Sequence, residues 1–126
     1  MLNFNDMVIN NSEPIYIQIC KHTKRQIFQI SAVNGDVFPS RRELAAKLGI
    51  NPNTIQKAYR LLEDEGILYT KSNTVSSLII DERLYTRISA EFKIEFIGNV
   101  IKEAKLCNLS FKQVIDMLSE QWEEQE

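Results

Sequence analysis

The sequence contains very few of the residues on which enzymes and metal sites depend. It has one histidine, His22, and two cysteines, Cys20 and Cys107, which lie far apart in the chain. No Cys or His residues have the spacing of a zinc ligand set, so we expect no metal site. A glycine-rich phosphate loop is absent, as is a nucleophile with a recognisable surrounding motif. These absences argue against an enzyme and predict a protein without a cofactor.

Long apolar runs are also missing. No run approaches the ~18 residues that a membrane helix needs, and the N-terminus lacks the pattern of a secretory signal. The expected location is the cytoplasm, with no membrane partner. Two buried thiols are the expected state of the cysteines in such a reducing compartment, although a disulfide stays open at this stage. His22 lies among Lys21, Lys24 and Arg25, so we expect it to be solvated rather than a ligand or a base.

Charge is distributed unevenly along the chain. The formal net charge is −2, but residues 81–126 hold ten acidic and six basic side chains. Residues 40–60 hold five Lys/Arg and one acidic residue, a local charge of +4. Because screening confines the field of a charge to about 8 Å at physiological salt, phosphate binding depends on this local charge. Residues 40–60 are therefore a candidate nucleic-acid surface, although charge alone does not distinguish it from a solvated helical face.

The first periodic segment, residues 13–34, predicts an amphipathic helix. Pro14 suits the first turn of this helix, and the Asn34-Gly35-Asp36 turn is expected to stop it. Its inward positions follow helical spacing and are Ile15, Ile19, Thr23, Ile27 and Ile30.

Two shorter helices follow and are predicted to form a helix-turn-helix. Ser40 and Glu43 make a capping box that opens a helix over residues 41–48. Asn51 is the predicted N-cap of a second helix over residues 52–65, after a tight turn at Gly49–Asn51. The inner face of the second helix is predicted to consist of Ile55, Ala58, Tyr59 and Leu62.

Two β-prone runs, 67–71 and 75–80, flank Ser72-Asn73-Thr74 and predict a β-hairpin. A hairpin directly after a helix-turn-helix is a wing. The predicted fold is therefore mainly α with a small β-hairpin wing, and residues 1–80 form a winged helix-turn-helix domain.

Residues 81–126 are predicted to form a two-helix tail, whose second helix opens with a capping box at Ser110 and Gln113. Its first helix, about 84–107, carries two adjoining apolar stripes, more than it needs to cover one neighbour. Either the stripes close the core of one chain, or they join two copies. The second interpretation is favoured, because about 45 residues offer little core of their own. The candidate dimer contacts are Ile88, Phe92, Phe96, Val100, Leu118 and Trp122.

From Pro14 to about Asp81 the sequence strongly resembles the GntR family of bacterial regulators. The resemblance is carried by PIYIQI (14–19), GDVFPSRRELAAKLGI (35–50) and NPNTIQKAYRLLEDEGIL (51–68). The acidic tail looks like that of the short-tailed YtrA-type branch, in which the tail is a dimerisation module. The resemblance implies a transcription regulator, usually a repressor, that binds a pseudo-palindromic double-stranded DNA operator as a homodimer.

Pattern and resemblance together assign the candidate DNA contacts. A recognition helix presents its N-terminal, outward residues to base edges, where Asn and Gln suit adenine and Lys and Arg suit guanine or phosphate. Arg42 matches the basic residue of the family that reaches DNA, and Arg41 beside it is an expected phosphate contact. The candidates are Ser40, Arg41, Arg42, Asn51, Asn53, Thr54, Gln56, Lys57, Arg60 and Lys71.

Each assignment has a plainer alternative. Asn51 and Thr54 can act as local helix caps, and Arg42 and Lys57 can be solvated surface residues. Whether Lys71 contacts DNA is open, because the wing tip lacks the glycines that the family usually carries there.

A second class of function, a protein-interaction scaffold without specific DNA binding, is also open. The acidic balance of the whole chain supports it. The basic outward face of residues 52–60 argues against it, because protein interface cores are depleted of charge. Whether the protein has a small-molecule effector is unknown.

Overall fold

A computed structural model describes residues 1–71 and 75–125, and it confirms the predicted mainly helical fold with a small sheet. No helix within the described part of the chain is long and apolar enough to cross a membrane. In chain order the elements are α1 (Ile15–Phe28), β1 (Val37–Phe38), α2 (Arg41–Leu48), α3 (Pro52–Asp64), β2 (Leu68–Lys71), β3 (Val75–Leu78), α4 (Glu82–Leu106), α5 (Phe111–Gln121) and a short 3-10 helix (Glu123–Gln125).

The chain divides into two compact units, Met1–Ser89 and Ala90–Glu126, and the boundary in the sequence falls within α4. The predicted boundary at residue 80 lies before this helix. The difference arises from two side chains in the first turns of α4, Leu84 and Ile88, which are buried in the first unit. Ile88 is 0 % exposed within a single chain, so its assignment as a dimer contact is corrected here to a core residue.

Helix α1 is shorter than the predicted 13–34. It ends at Phe28 in a Schellman motif, in which Ser31 N donates to Gln26 O and Ile30 N donates to Ile27 O. Ile30 has φ +61° at the position usually taken by glycine, and its side chain is 66 % exposed. The prediction that Ile30 lies on the inner face of the helix is therefore wrong. Ala32, which follows the turn at Ile30, is buried in the core instead.

The sheet has three antiparallel strands in the order β1-β3-β2. The hairpin of β2 and β3 agrees with the predicted wing, and its tip, Ser72–Thr74, lies outside the described residues. Strand β1 is not anticipated by the sequence, since it is two residues long and pairs Val37 with Ser77. This pairing anchors the base of the wing to the segment before α2.

The core of the first unit lies between α1, α2, α3 and the sheet. As predicted, the inner face of α3 is buried at Ile55, Ala58, Tyr59 and Leu62. Cys20 is also buried, and its thiol contacts Ala58 O at 3.5 Å. Burial, together with the nearby Glu65 carboxylate, raises the pKa of the Cys20 thiol to about 12. This thiol is therefore a core group that stays protonated at neutral pH.

An N-terminal arm, residues 1–4, packs onto the first unit and changes the expected environment of His22. Phe4 stacks on the His22 ring at 5.0 Å and meets the edge of Phe38 at 5.4 Å. His22 Nε2 lies 2.8 Å from Asn3 O, and Gln26 Nε2 donates to the same oxygen at 2.7 Å. His22 is thus buried, and the expectation of a solvated side chain is wrong. The basic residues beside His22 in the sequence do not indicate that an N-terminal arm covers its side chain.

We expect Phe4→Ala to destabilise the first unit by about 3–5 kcal/mol, the usual range for a buried Phe. Phe4 is 4 % exposed, and it holds the arm against both α1 and β1. Urea unfolding followed by circular dichroism measures the change. Val8→Ala is the control at the same end of the chain, because the Val8 side chain is 81 % exposed. Equal stability of the two variants would show that the arm contributes no packing.

The second unit consists of the C-terminal part of α4 and helix α5. As predicted, Ser110 and Gln113 form a capping box: Gln113 N donates to Ser110 Oγ at 3.1 Å and Ser110 N donates to Gln113 Oε1 at 2.8 Å. Within residues 90–124 no side chain is buried, and Phe111 is 82 % exposed. Cys107 is exposed too, which corrects the expectation of a second buried thiol in the single chain.

Candidate nucleic-acid interface

The helix-turn-helix is built by local capping at each helix end. Ser40 Oγ accepts from Glu43 N at 3.1 Å and starts α2. Gly49, at φ +66°, ends α2 in the left-handed region that glycine favours. Asn51 Oδ1 then accepts from Asn53 N at 2.8 Å and starts α3, with Pro52 in its first turn. Asn51 is therefore a helix cap, whatever other contact it makes.

The predicted candidate residues of α3 lie away from its buried face. Asn53, Lys57 and Arg60 are exposed, and Thr54 and Gln56 are half-buried. Because the core fixes the inner face at four positions, the rotation of α3 is set, and these polar side chains share the outward side. Asn, Gln, Lys and Arg can together donate to and accept from base edges and phosphates.

The two neighbouring arginines of α2 have different environments. Arg41 Nη2 donates to Glu63 Oε1 at 3.1 Å, and its guanidinium lies 4.8 Å from the Tyr59 ring centroid. Arg42 is exposed, with no ion pair or hydrogen bond to another described residue. Arg41 is thus engaged in holding α2 to α3, whereas Arg42 has its full charge and donor set available. Arg41 thus has an internal partner that the sequence did not predict.

Tyr59 connects the recognition helix to the segment before α2. Its hydroxyl donates to Pro39 O, and its ring meets Phe38 edge-on at 4.9 Å. Burial raises the pKa of the Tyr59 hydroxyl far above its ordinary value. The prediction that Tyr59 lies on the inner face of α3 agrees with this environment.

Sequence reasoning missed one residue beside the candidate surface. Tyr16 of α1 lies under the Lys57 ammonium, 4.2 Å from Nζ to the ring centroid. Tyr16 is one helical turn before Cys20, which packs on α3, and this spacing is the signal that could have identified it. In the wing, Lys71 is exposed at the end of β2, next to the undescribed tip.

Comparison with known proteins agrees with this arrangement. Residues 15–74 match the model of the family described as bacterial regulatory proteins, gntR family. The chain is 47% identical over 60 residues to the HTH-type transcriptional repressor YtrA of Bacillus subtilis. The aligned stretch covers 48% of this chain and 46% of that protein. It is 26% identical over 111 residues to the HTH-type transcriptional regulator YhcF of the same organism, 88% of this chain and 92% of that one.

A solved structure extends the likeness over almost the whole fold. A GntR family transcriptional regulator from Listeria monocytogenes superposes with a TM-score of 0.81 at 32% identity, covering 89% of this chain and 98% of that one. The family match and the similarity to this solved structure therefore both include the helix-turn-helix. The chain belongs to the GntR family of bacterial regulatory proteins, as a transcriptional regulator with a helix-turn-helix DNA-binding domain and not an enzyme.

Proposed function

We propose that the protein is a repressor that binds an inverted-repeat operator as a homodimer joined through its second unit. The main observation in support of the dimer is that no side chain is buried within the described residues 90–124, so this unit has no core of its own. A two-helix unit with this much apolar surface gains stability only when another surface covers it. A second copy of the chain is always present and supplies a self-complementary partner.

The surface available to the second copy is a groove between α4 and α5. It encloses about 880 Å³ and is almost entirely apolar. Three of the predicted dimer contacts, Val100, Leu118 and Trp122, line it together. Phe96 is exposed outside this lining and Phe92 is half-buried. Further lining residues, outside the predicted dimer contacts, are Ala104, Leu109 and Met117.

The proposed DNA contacts follow from the exposed face of the helix-turn-helix. Arg42, Lys57 and Arg60 supply positive charge for phosphates or guanine, and Asn53 and Gln56 supply amide groups suited to adenine. Ser40 and Asn51 cap the helices from which these side chains project, and together with Thr54 they remain candidate DNA contacts. Arg41 acts indirectly, because its pairing with Glu63 holds α2 against α3.

Two-fold symmetry determines the form of the operator. Each subunit contributes one recognition helix, so the preferred DNA carries two inverted half-sites. Holding both helices on one dimer makes the second contact effectively intramolecular and raises affinity without any new contact. The repressor role is supported by the likeness to YtrA, which is described as a repressor.

The wing is expected to contribute less than α2. Lys71→Ala should weaken operator binding less than Arg42→Ala, because the tip sequence lacks the glycines that permit close approach of the backbone to a groove. Fluorescence anisotropy with one labelled duplex compares the two variants directly. A larger loss at Lys71 would show that this glycine-free wing still inserts into the DNA.

A gel-shift assay against the DNA just upstream of the protein's own gene tests the proposed function. We expect a discrete complex that survives an excess of non-specific competitor DNA. In a reporter fusion, deletion of the gene should then raise transcription from that promoter. A complex that competitor abolishes would favour the scaffold alternative, and lower transcription after deletion would indicate an activator.

A further inference from the structure

The contact between Tyr16 and Lys57 joins the outward face of the recognition helix to α1. Lys57 is exposed, and its Nζ lies 4.2 Å from the centroid of the half-buried Tyr16 ring. This distance is well within the range of a cation–π interaction. The side chain of a candidate DNA contact is therefore held by a residue outside the helix-turn-helix.

Packing of α1 on α3 fixes the place of the ring. Beyond Tyr16, Cys20 contacts Ala58 O at 3.5 Å and Lys24 pairs with Glu65 at 2.8 Å, so contacts occur in the same order along both helices. The N-terminal turn of α1 thus lies beside the N-terminal half of α3. That half of a recognition helix is the part that reads base edges.

The kind of partner distinguishes Lys57 from the two lysines of α1. Lys21 pairs with Glu13 and Lys24 pairs with Glu65, so a carboxylate offsets the charge of each. An aromatic ring attracts the ammonium group without cancelling its charge. Lys57 is thereby ordered and keeps the net positive charge that a phosphate or a guanine edge attracts.

We propose that Tyr16 is a positioning residue for DNA binding, whose ring preorders the Lys57 ammonium for its contact with the operator. A free lysine side chain loses rotamer freedom when it is immobilised on DNA, and a lysine already held by the ring loses less. The inference rests on the proposed function, because it requires that Lys57 contacts DNA.

A double-mutant cycle tests the proposal on the full-length protein. The variants are Tyr16→Leu, Lys57→Ala, the double variant, and Tyr16→Phe as the control that retains the ring. The probe is a labelled duplex that the wild-type protein selects from a random-sequence library, with affinity measured by fluorescence anisotropy. We expect Tyr16→Leu to weaken binding roughly two- to fivefold at each half-site. Tyr16→Phe should bind like the wild type.

The double variant gives the decisive result. If the ring acts through Lys57, adding Tyr16→Leu to Lys57→Ala causes no further loss of affinity. A multiplicative loss would overturn the proposal, because it would show that Tyr16 supports the fold or contacts DNA by itself. An equal loss in Tyr16→Phe and Tyr16→Leu would overturn it as well, since the hydroxyl would then be the active group.

The cycle also separates the inference from the proposed function. If Lys57→Ala weakens binding and Tyr16→Leu does not, the positioning role alone is wrong. If neither Lys57→Ala nor Arg42→Ala changes affinity for the selected duplex, the assigned DNA-reading surface is wrong, and the positioning role is wrong with it.

Discussion

Leu118→Glu is expected to convert the full-length protein from a dimer into a monomer at micromolar concentration. Leu118 lines the apolar groove of the second unit, and symmetry places two copies of it in the proposed interface. Burying an unpaired polar or charged group costs at least about 2 kcal/mol, so two copies raise the dimer dissociation constant by about 10³-fold or more. Sedimentation velocity measures the change.

Loss of the dimer should carry a large loss of operator affinity. Once the second half-site contact is no longer intramolecular, we expect binding to weaken by about 10²- to 10⁴-fold. Ser119→Glu is the matched control, because it places the same charge on the next residue of α5, outside the groove lining. A Leu118→Glu protein that stays dimeric, or a monomer that binds as tightly as the wild type, would refute this interface.

A shortened protein offers a second route to the monomer, and the structure determines where to end it. Ending the chain at Asp81 would remove Leu84 and Ile88 from the core of the first unit. Ending it after Ser89 retains both side chains. We expect the longer fragment to be the more stable of the two.

The second large effect is expected at the DNA-reading surface. Arg42→Ala and Lys57→Ala should each weaken operator binding by about 1–3 kcal/mol, roughly 5- to 150-fold. Both side chains are exposed, so thermal unfolding should be unchanged. Lys93→Ala, an exposed lysine of α4 outside the helix-turn-helix, is the control for loss of one positive charge.

Salt dependence and base preference separate the two kinds of contact. Removing a guanine-directed contact relaxes the preference at one base position, whereas removing a phosphate contact weakens all sequences alike and lowers the salt slope by about one. Binding of both variants with wild-type affinity would contradict the role of this surface and favour an interaction scaffold.

Features that depend on neighbouring residues were predictable from the sequence. The caps at Ser40, Asn51 and Ser110 and the buried face of α3 are determined within one or two helical turns, and the structure agrees with all of them. The family resemblance added the regulator role and the expected dimer role of the tail. The end of α1 was predicted too late, because the Schellman motif places an isoleucine where glycine is usual.

Features that depend on distant residues were not predictable. Arg41 reaches Glu63, Lys57 reaches Tyr16, and the arm with Phe4 covers His22, each over a separation that no periodic pattern encodes. These contacts can be assigned only when the packing of the helices is known. For that reason the sequence located the basic residues as a segment but did not predict that Arg41 pairs with Glu63.

Footprinting tests the central claim most directly, namely that two copies of this helix-turn-helix read one symmetric operator. The full-length protein would be bound to a duplex that it selects from a random-sequence library and probed with hydroxyl radicals. The account predicts two protected half-sites of inverted sequence, with centres about 10–10.5 base pairs or a multiple of that apart. A single unrepeated half-site, or protection no stronger than on competitor DNA, would contradict it.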